Sequence, residues 1–225
     1  MFGSPGARRA IVAACITLGV SAAVAGAATI TGTDDDERLV GTAYADTVSA
    51  MGGSDLVVAL AGDDTVDGGD GRDRIRGGTG NDTLAGGTGN DLVRGQAGDD
   101  SVDGGEGDDV VAGGQGVDRV SGGDGSDFLF ARARVDVVAG PGGEADTTGD
   151  TVDGGAGNDV IHTRDGESDT VTCGAGIDIA ILDGADVIAD ATEAEPDGSC
   201  ERVRRRDARP NDPQGDNPPE QTRDR

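Results

Sequence analysis

A nine-residue period runs through most of this chain and leaves little room for an ordinary globular fold. From Gly68 the sequence cuts into nines: Gly68-Gly69-Asp70-Gly71-Arg72-Asp73-Arg74-Ile75-Arg76, then Gly77-Gly78-Thr79-Gly80-Asn81-Asp82-Thr83-Leu84-Ala85, then Gly86-Gly87-Thr88-Gly89-Asn90-Asp91-Leu92-Val93-Arg94. Each reads G-G-x-G-x-D-x-U-x, where U is a large aliphatic residue. The strict form returns at Asp109 with Val111, Asp118 with Val120, Asp127 with Leu129 and Asp159 with Ile161. Looser copies keep the Asp and the aliphatic residue: Asp46 with Val48, Asp55 with Val57, Asp64 with Val66, Asp100 with Val102, Asp136 with Val138. A flexible low-complexity linker has no need of an aliphatic residue two places after each Asp, so the period specifies structure.

The nine residues divide into a six-residue turn and a three-residue strand. In the strand, x-U-x sends side chains out, in and out, so U points into a narrow core. Glycine supplies the positive φ angles and close backbone approach of a tight turn. Because each turn reverses the chain, successive strands fall on opposite sides and two repeats complete one coil. The predicted fold is all-β: a parallel β-roll, a β-helix or solenoid whose turns stack about 4.8 Å apart. Stacked carboxylates and turn carbonyls at that spacing can share an ion with ligand distances of about 2.3–2.6 Å, and such hard oxygen donors suit calcium better than zinc or copper.

Composition agrees. Only 34% of the 225 residues are hydrophobic and 2% aromatic, too little for a conventional two-layer core. Acidic residues outnumber basic ones 44 to 18, a net charge of -26, so the chain repels nucleic acid and anionic membrane and attracts cations. The acidic residues recur singly or in pairs rather than in one solvated block, which favours ligation.

These repeats resemble the hemolysin-type, or repeats-in-toxin (RTX), calcium-binding β-roll family, over about Leu39 to Asp190. The resemblance implies calcium as the bound ion. It implies ligand roles for the sixth-place residues Asp64, Asp73, Asp82, Asp91, Asp100, Asp109, Asp118, Asp127 and Asp159, with carbonyls supplied by turns such as those of Gly69, Gly71, Gly78, Gly80, Gly87 and Gly89. Without calcium the stacked carboxylates repel, so an extended apo chain that folds on binding the metal is expected. Departures from the pattern carry their own expectations. Ala131 to Asp136 lacks every turn glycine, so no full site is expected there, and Gly140 to Gly149 reads as a loop. Beyond Asp159 the spacing slips, through Asp169-Thr170-Val171 and Asp178-Ile179-Ala180 to Asp186-Val187-Ile188, which predicts distorted coils capped by the Cys200 segment.

The amino terminus reads as an export signal over 1–27: Arg8 and Arg9, an apolar run from Ala10 to Val24, and the small residues Ala25-Gly26-Ala27. Lipidation at Cys15 is an alternative with a short apolar run before it. Cleavage leaves no membrane span in the mature chain and assigns it to the secreted, extracellular space. Cys173 and Cys200 then read as a single disulfide, with two free thiols as the alternative. The roll is expected over 28–200, irregular at 131–149, followed by a polar, disordered tail over 201–225.

The sole histidine, His162, falls at an outward ninth place and reads as a surface residue, so no catalytic constellation emerges and a non-enzymatic role is expected. Thr47, Thr65, Thr83 and Ser101 form an outward row that ordinary β-propensity explains, since its companion row is irregular and charged. Phe128 and Phe130 are outward aromatics that serve either self-association or packing under the irregular segment. The functional expectation is a secreted calcium-binding protein with a structural or adhesive role; the alternative is an accessory of an RTX-type toxin or secreted hydrolase system.

Overall fold

The alternation inside each repeat builds the molecule. The computed structural model describes residues 26–131, 149–165, 167–189 and 199–205. Eighteen short strands run from Thr29–Thr31 to Arg202–Arg205, and no helix occurs among the described residues. Consecutive strands alternate between two nine-stranded sheets, the odd strands in one and the even strands in the other. Pairing is parallel throughout and joins residues one coil apart: Thr65 with Thr83 and Val66 with Leu84 on one sheet, Arg74 with Leu92 and Ile75 with Val93 on the other. Two repeats therefore make one coil, and the chain is the parallel β-roll that the period predicts.

In the regular repeats the strands are longer than three residues. Thr65–Asp70, Arg74–Thr79 and Thr83–Thr88 each span x-U-x-G-G-x, because both leading glycines of the next repeat stay in the ladder. Gly69 pairs with Gly87, for example, and Gly78 with Gln96. Only G-x-D remains as the corner. In Thr65–Asp70 and Thr83–Thr88 the aliphatic residue and the first glycine are the two buried positions. The core is one aliphatic side chain deep, from Val48 through Leu84 and Leu129 to Ile161, each no more than 1% exposed. So thin a core places unusual weight on the hydrogen-bonded stacking of the corners.

Three looser copies carry a side chain where the second glycine belongs. Met51, Leu60 and Gln96 adopt φ of 79°, 90° and 94°, a backbone region that costs any residue but glycine. The stacking enforces that conformation on them regardless of residue type.

Register survives the irregular segment. Arg119 pairs with Thr151 and Phe128 with Val160, so a longer connection is inserted without disturbing the columns on either side. The position one coil beyond Asp118 is taken by Asp150, not by Asp136, which lies outside the described residues. Further on, the spacing slips as expected, yet the aliphatic column continues through Val152, Val171 and Ile188. Cys173 and Cys200, both buried, stand at disulfide distance with Cα atoms 5.1 Å apart. The amino-terminal segment to residue 25 and the tail from 206 lie outside the described residues, and no helix among the described residues is long and apolar enough to cross a membrane.

Candidate metal sites in the turns

Each corner presents its sixth-place aspartate inward. Asp73, Asp82, Asp91, Asp100, Asp109, Asp118, Asp127 and Asp159 are all at most 3% exposed, as is Asp64. One carboxylate oxygen, Oδ1, accepts the backbone N–H of the equivalent aspartate one coil earlier. Along one edge Asp55 donates to Asp73 (2.7 Å), Asp73 to Asp91 (2.7 Å), Asp91 to Asp109 (2.7 Å) and Asp109 to Asp127 (2.8 Å). Along the other, Asp64 donates to Asp82 (2.9 Å), Asp82 to Asp100 (2.8 Å) and Asp100 to Asp118 (2.8 Å). The ladders bridge the inserted segment too, from Asp118 to Asp150 (2.8 Å) and from Asp127 to Asp159 (2.9 Å). The sequence thus yields two carboxylate columns, one per edge of the roll.

The second oxygen is the chemically unusual one. Oδ2 of Asp55, Asp64, Asp73, Asp82, Asp91, Asp100, Asp109, Asp127, Asp159, Asp169 and Asp178 is buried and has no hydrogen-bond partner. Buried polar atoms are almost always paired, and a buried anionic oxygen without a donor is costly. Where the repeat opens with glycine, the oxygen lies beside that glycine. A Cβ on Gly104 would stand 2.5 Å from Asp109 Oδ2 and 2.5 Å from the carbonyl oxygen of Gly122. Glycine here keeps open a small cradle lined by carboxylate and carbonyl oxygens.

Electrostatics mark the same atoms. Burial raises these carboxyls, while the ladder hydrogen bond opposes it and, in most, neighbouring carboxylates add to it. Asp73, Asp82 and Asp159 are pushed up to about 6, and Asp100 and Asp109 to about 7. Asp169 rises to about 8 and Asp150 to about 9 for the same leading cause. A hard divalent cation answers all three features, since it supplies the missing charge and accepts oxygen ligands only. The residues present fit calcium.

Turns near the two ends satisfy their carboxylates differently. Thr33 donates its N–H (2.8 Å) and hydroxyl (2.7 Å) to Glu37, and Thr42 donates its N–H (2.5 Å) and hydroxyl (3.0 Å) to Asp46. At the far end Asp186 Oδ2 takes the Thr163 hydroxyl and the Asp183 N–H, both at 2.7 Å. A threonine in the turn replaces what a cation would do, so these turns close the columns with protein donors.

A second ladder escaped the sequence reading, which treated the fifth place as arbitrary. Asn81 donates its N–H to Asp63 Oδ1 (2.8 Å), Asp99 to Asn81 Oδ1 (3.0 Å) and Val117 to Asp99 Oδ1 (3.0 Å). This ladder is exposed and runs against the direction of the aspartate column. Its signal was the recurrence of Asn and Asp just before the sixth-place Asp, as in Asn81-Asp82 and Asp99-Asp100. Asp55, Asp169 and Asp178 were not among the expected ligands, the last two because the spacing slips beyond Asp159; the structure gives each of them the same unpaired buried Oδ2.

The motif glycines flank or form the corners, Gly69, Gly78 and Gly87 at the strand ends and Gly71, Gly80 and Gly89 in the corners themselves. Gly69, Gly71, Gly78, Gly80, Gly87 and Gly89 all have φ between 92° and 135°. A Cβ on Gly89 would overlap the carbonyl oxygen of Gly71 one coil below. On the even sheet, Phe128 is half-exposed, whereas Phe130 stacks on His162 with ring centroids 5.7 Å apart. His162 is thus a half-buried packing partner rather than a free surface residue, and burial lowers its pKa.

A parallel β-roll whose edges carry columns of buried carboxylates, most with one oxygen lacking a donor, defines a cation-binding solenoid. The chain matches a family model of RTX calcium-binding nonapeptide repeats in overlapping stretches from 31–66 to 103–138, and again over 144–180, more than half its length. It belongs to that family and is a calcium-binding repeat protein. No curated protein matches the chain.

Proposed function

We propose that this protein is a secreted, non-enzymatic module in which calcium assembles the roll for a structural or adhesive role. The ions are held by the sixth-place carboxylates Asp64, Asp73, Asp82, Asp91, Asp100, Asp109, Asp118, Asp127 and Asp159, with carbonyls from the turn glycines. One observation carries the reading: the row of buried Oδ2 atoms with no hydrogen-bond partner. Export is supported by the basic, apolar and small-residue composition of 1–27, with the roll over 28–200 and a polar tail over 201–225. An affinity of about 10⁻⁴–10⁻³ M, the range of extracellular modules, makes the chain order on leaving the cell, where Cys173 and Cys200 also oxidise.

The test is far-UV circular dichroism of the mature chain during calcium titration, with magnesium as control. A coil-to-β transition specific to calcium is the expected outcome. A β-rich spectrum in excess chelator refutes calcium-driven assembly.

A further inference from the structure

The turn that precedes Thr170 has lost its glycine pattern. Its residues are Arg164-Asp165-Gly166-Glu167-Ser168-Asp169, and the fourth place, glycine in the strict repeats, is Glu167. A carboxylate therefore stands where every strict turn has only a hydrogen. The neighbouring corner one coil earlier ends in Asp150, whose backbone N–H donates to Asp169 Oδ1 at 2.7 Å. Stacking brings the three side chains together: one carboxylate oxygen from each of Asp150, Glu167 and Asp169 lies within 4.8 Å of the other two. All three are buried, at 2%, 5% and 0% exposure.

We propose that Asp150, Glu167 and Asp169 form a calcium site of their own, outside the repeat motif, at the carboxyl-terminal coils of the roll. Independent support comes from Asp169 itself, fully buried, whose Oδ2 has no hydrogen-bond partner although its Oδ1 is satisfied. Three buried carboxylates at this separation repel one another strongly at low dielectric, and a divalent cation converts that repulsion into ligation. Three carboxylates can supply up to six oxygens, and calcium takes six to eight, which leaves room for water or carbonyls. Two stacked strict turns offer two carboxylates and this pair of turns offers three, so the higher charge count makes this the tightest site, filled before the repeats. The ion ties the corner where the inserted segment rejoins the roll to the strand that leads into Cys173. Calcium thereby fastens the end of the roll first and provides a fixed edge on which coils stack.

The site goes beyond the repeat turns and is separable from them. Calcium binding to the full chain is measured by isothermal titration, starting below micromolar free calcium, for wild type, Glu167→Gln, Glu167→Asp and the repeat-turn variant Asp91→Asn. The expected wild-type isotherm has one calcium bound at least tenfold tighter than the rest. Glu167→Gln loses that first ion while keeping the calcium-induced β transition; Asp91→Asn keeps the first ion and weakens the later ones. Glu167→Asp, which retains the charge on a shorter arm, falls between and serves as the readout if Glu167→Gln does not reach wild-type β content. A wild-type isotherm without a tighter first ion overturns the site. So does a first ion unchanged in both Glu167 variants, or one lost equally in Asp91→Asn. A retained first ion with no later binding would instead refute the repeat-turn reading and leave this site standing.

Discussion

Replacing Asp109 by Asn should stabilise the calcium-free roll and weaken the calcium-bound one. Asp109 is fully buried and sits mid-column, accepting from Asp91 and donating to Asp127 Oδ1. Asn keeps the Oδ1 acceptor and places an amide donor where Oδ2 faces the Gly122 carbonyl across the Gly104 cradle. Burial first, then neighbouring carboxylates, push Asp109 to about 7 from an ordinary 3.8. At about 1.4 kcal/mol per pH unit, that gap corresponds to about 4 kcal/mol of cost to the apo fold above pH 7. Solvent at the open side of the turn screens part of it, leaving about 2 kcal/mol. With calcium the balance reverses, because a site that loses one charged ligand binds its ion about tenfold more weakly. The assay is two folding titrations read by far-UV circular dichroism. One uses a stabilising osmolyte in chelator at pH 7.5, and the other uses calcium. Asp109→Asn should fold at lower osmolyte and at higher calcium than wild type. A variant that needs more osmolyte, or whose calcium midpoint does not move, refutes the assignment of Oδ2 as a buried charge awaiting a cation.

Acid should substitute in part for calcium. The raised aspartates bind more protons folded than unfolded, so apo stability is full below about pH 4 and lost as pH climbs through 6 for Asp73, Asp82 and Asp159 and through 7 for Asp100 and Asp109. In chelator, β content at pH 5 should exceed that at pH 8, and the reverse order would count against the buried columns. Gln96→Gly should stabilise the calcium-bound roll by about 1 kcal/mol, since relief of the positive φ outweighs the added freedom of the unfolded chain; thermal melts at saturating calcium read it. Gly89→Ala should cost more than the about 1–2 kcal/mol of its φ alone, because the new methyl meets the Gly71 carbonyl; melts that match wild type would contradict the stacking.

Much of the fold was legible because the period is strict where stacking is strict. Two repeats per coil, parallel pairing and inward aliphatic residues all follow from the alternation of Asp82-Thr83-Leu84 and its copies. The strand length was not legible, because Gly68-Gly69 look like turn residues locally and only the neighbouring coils draw them into the ladder. The Asp150-Thr151-Val152 copy was legible, but not its column. It follows an insertion that breaks the count, and its hydrogen bond from Asp118 and the pairing of Arg119 with Thr151 reveal where it stacks.

The sequence by itself determined the solenoid, its two-sided core and its affinity for cations, since each is a property of nine residues repeated. The tertiary structure alone decided which carboxylate oxygens stay unpaired. Oδ1 is claimed by a backbone N–H one coil away, and Oδ2 is left without a hydrogen-bond donor in most turns. In the turns of Glu37 and Asp46 the second carboxylate oxygen takes the backbone N–H of Thr33 or Thr42 instead, and in that of Asp186 it takes the Thr163 hydroxyl. It also decided that Glu167 meets Asp150 and Asp169. These are relations between coils, and their residues lie too far apart along the chain for a local pattern to disclose them.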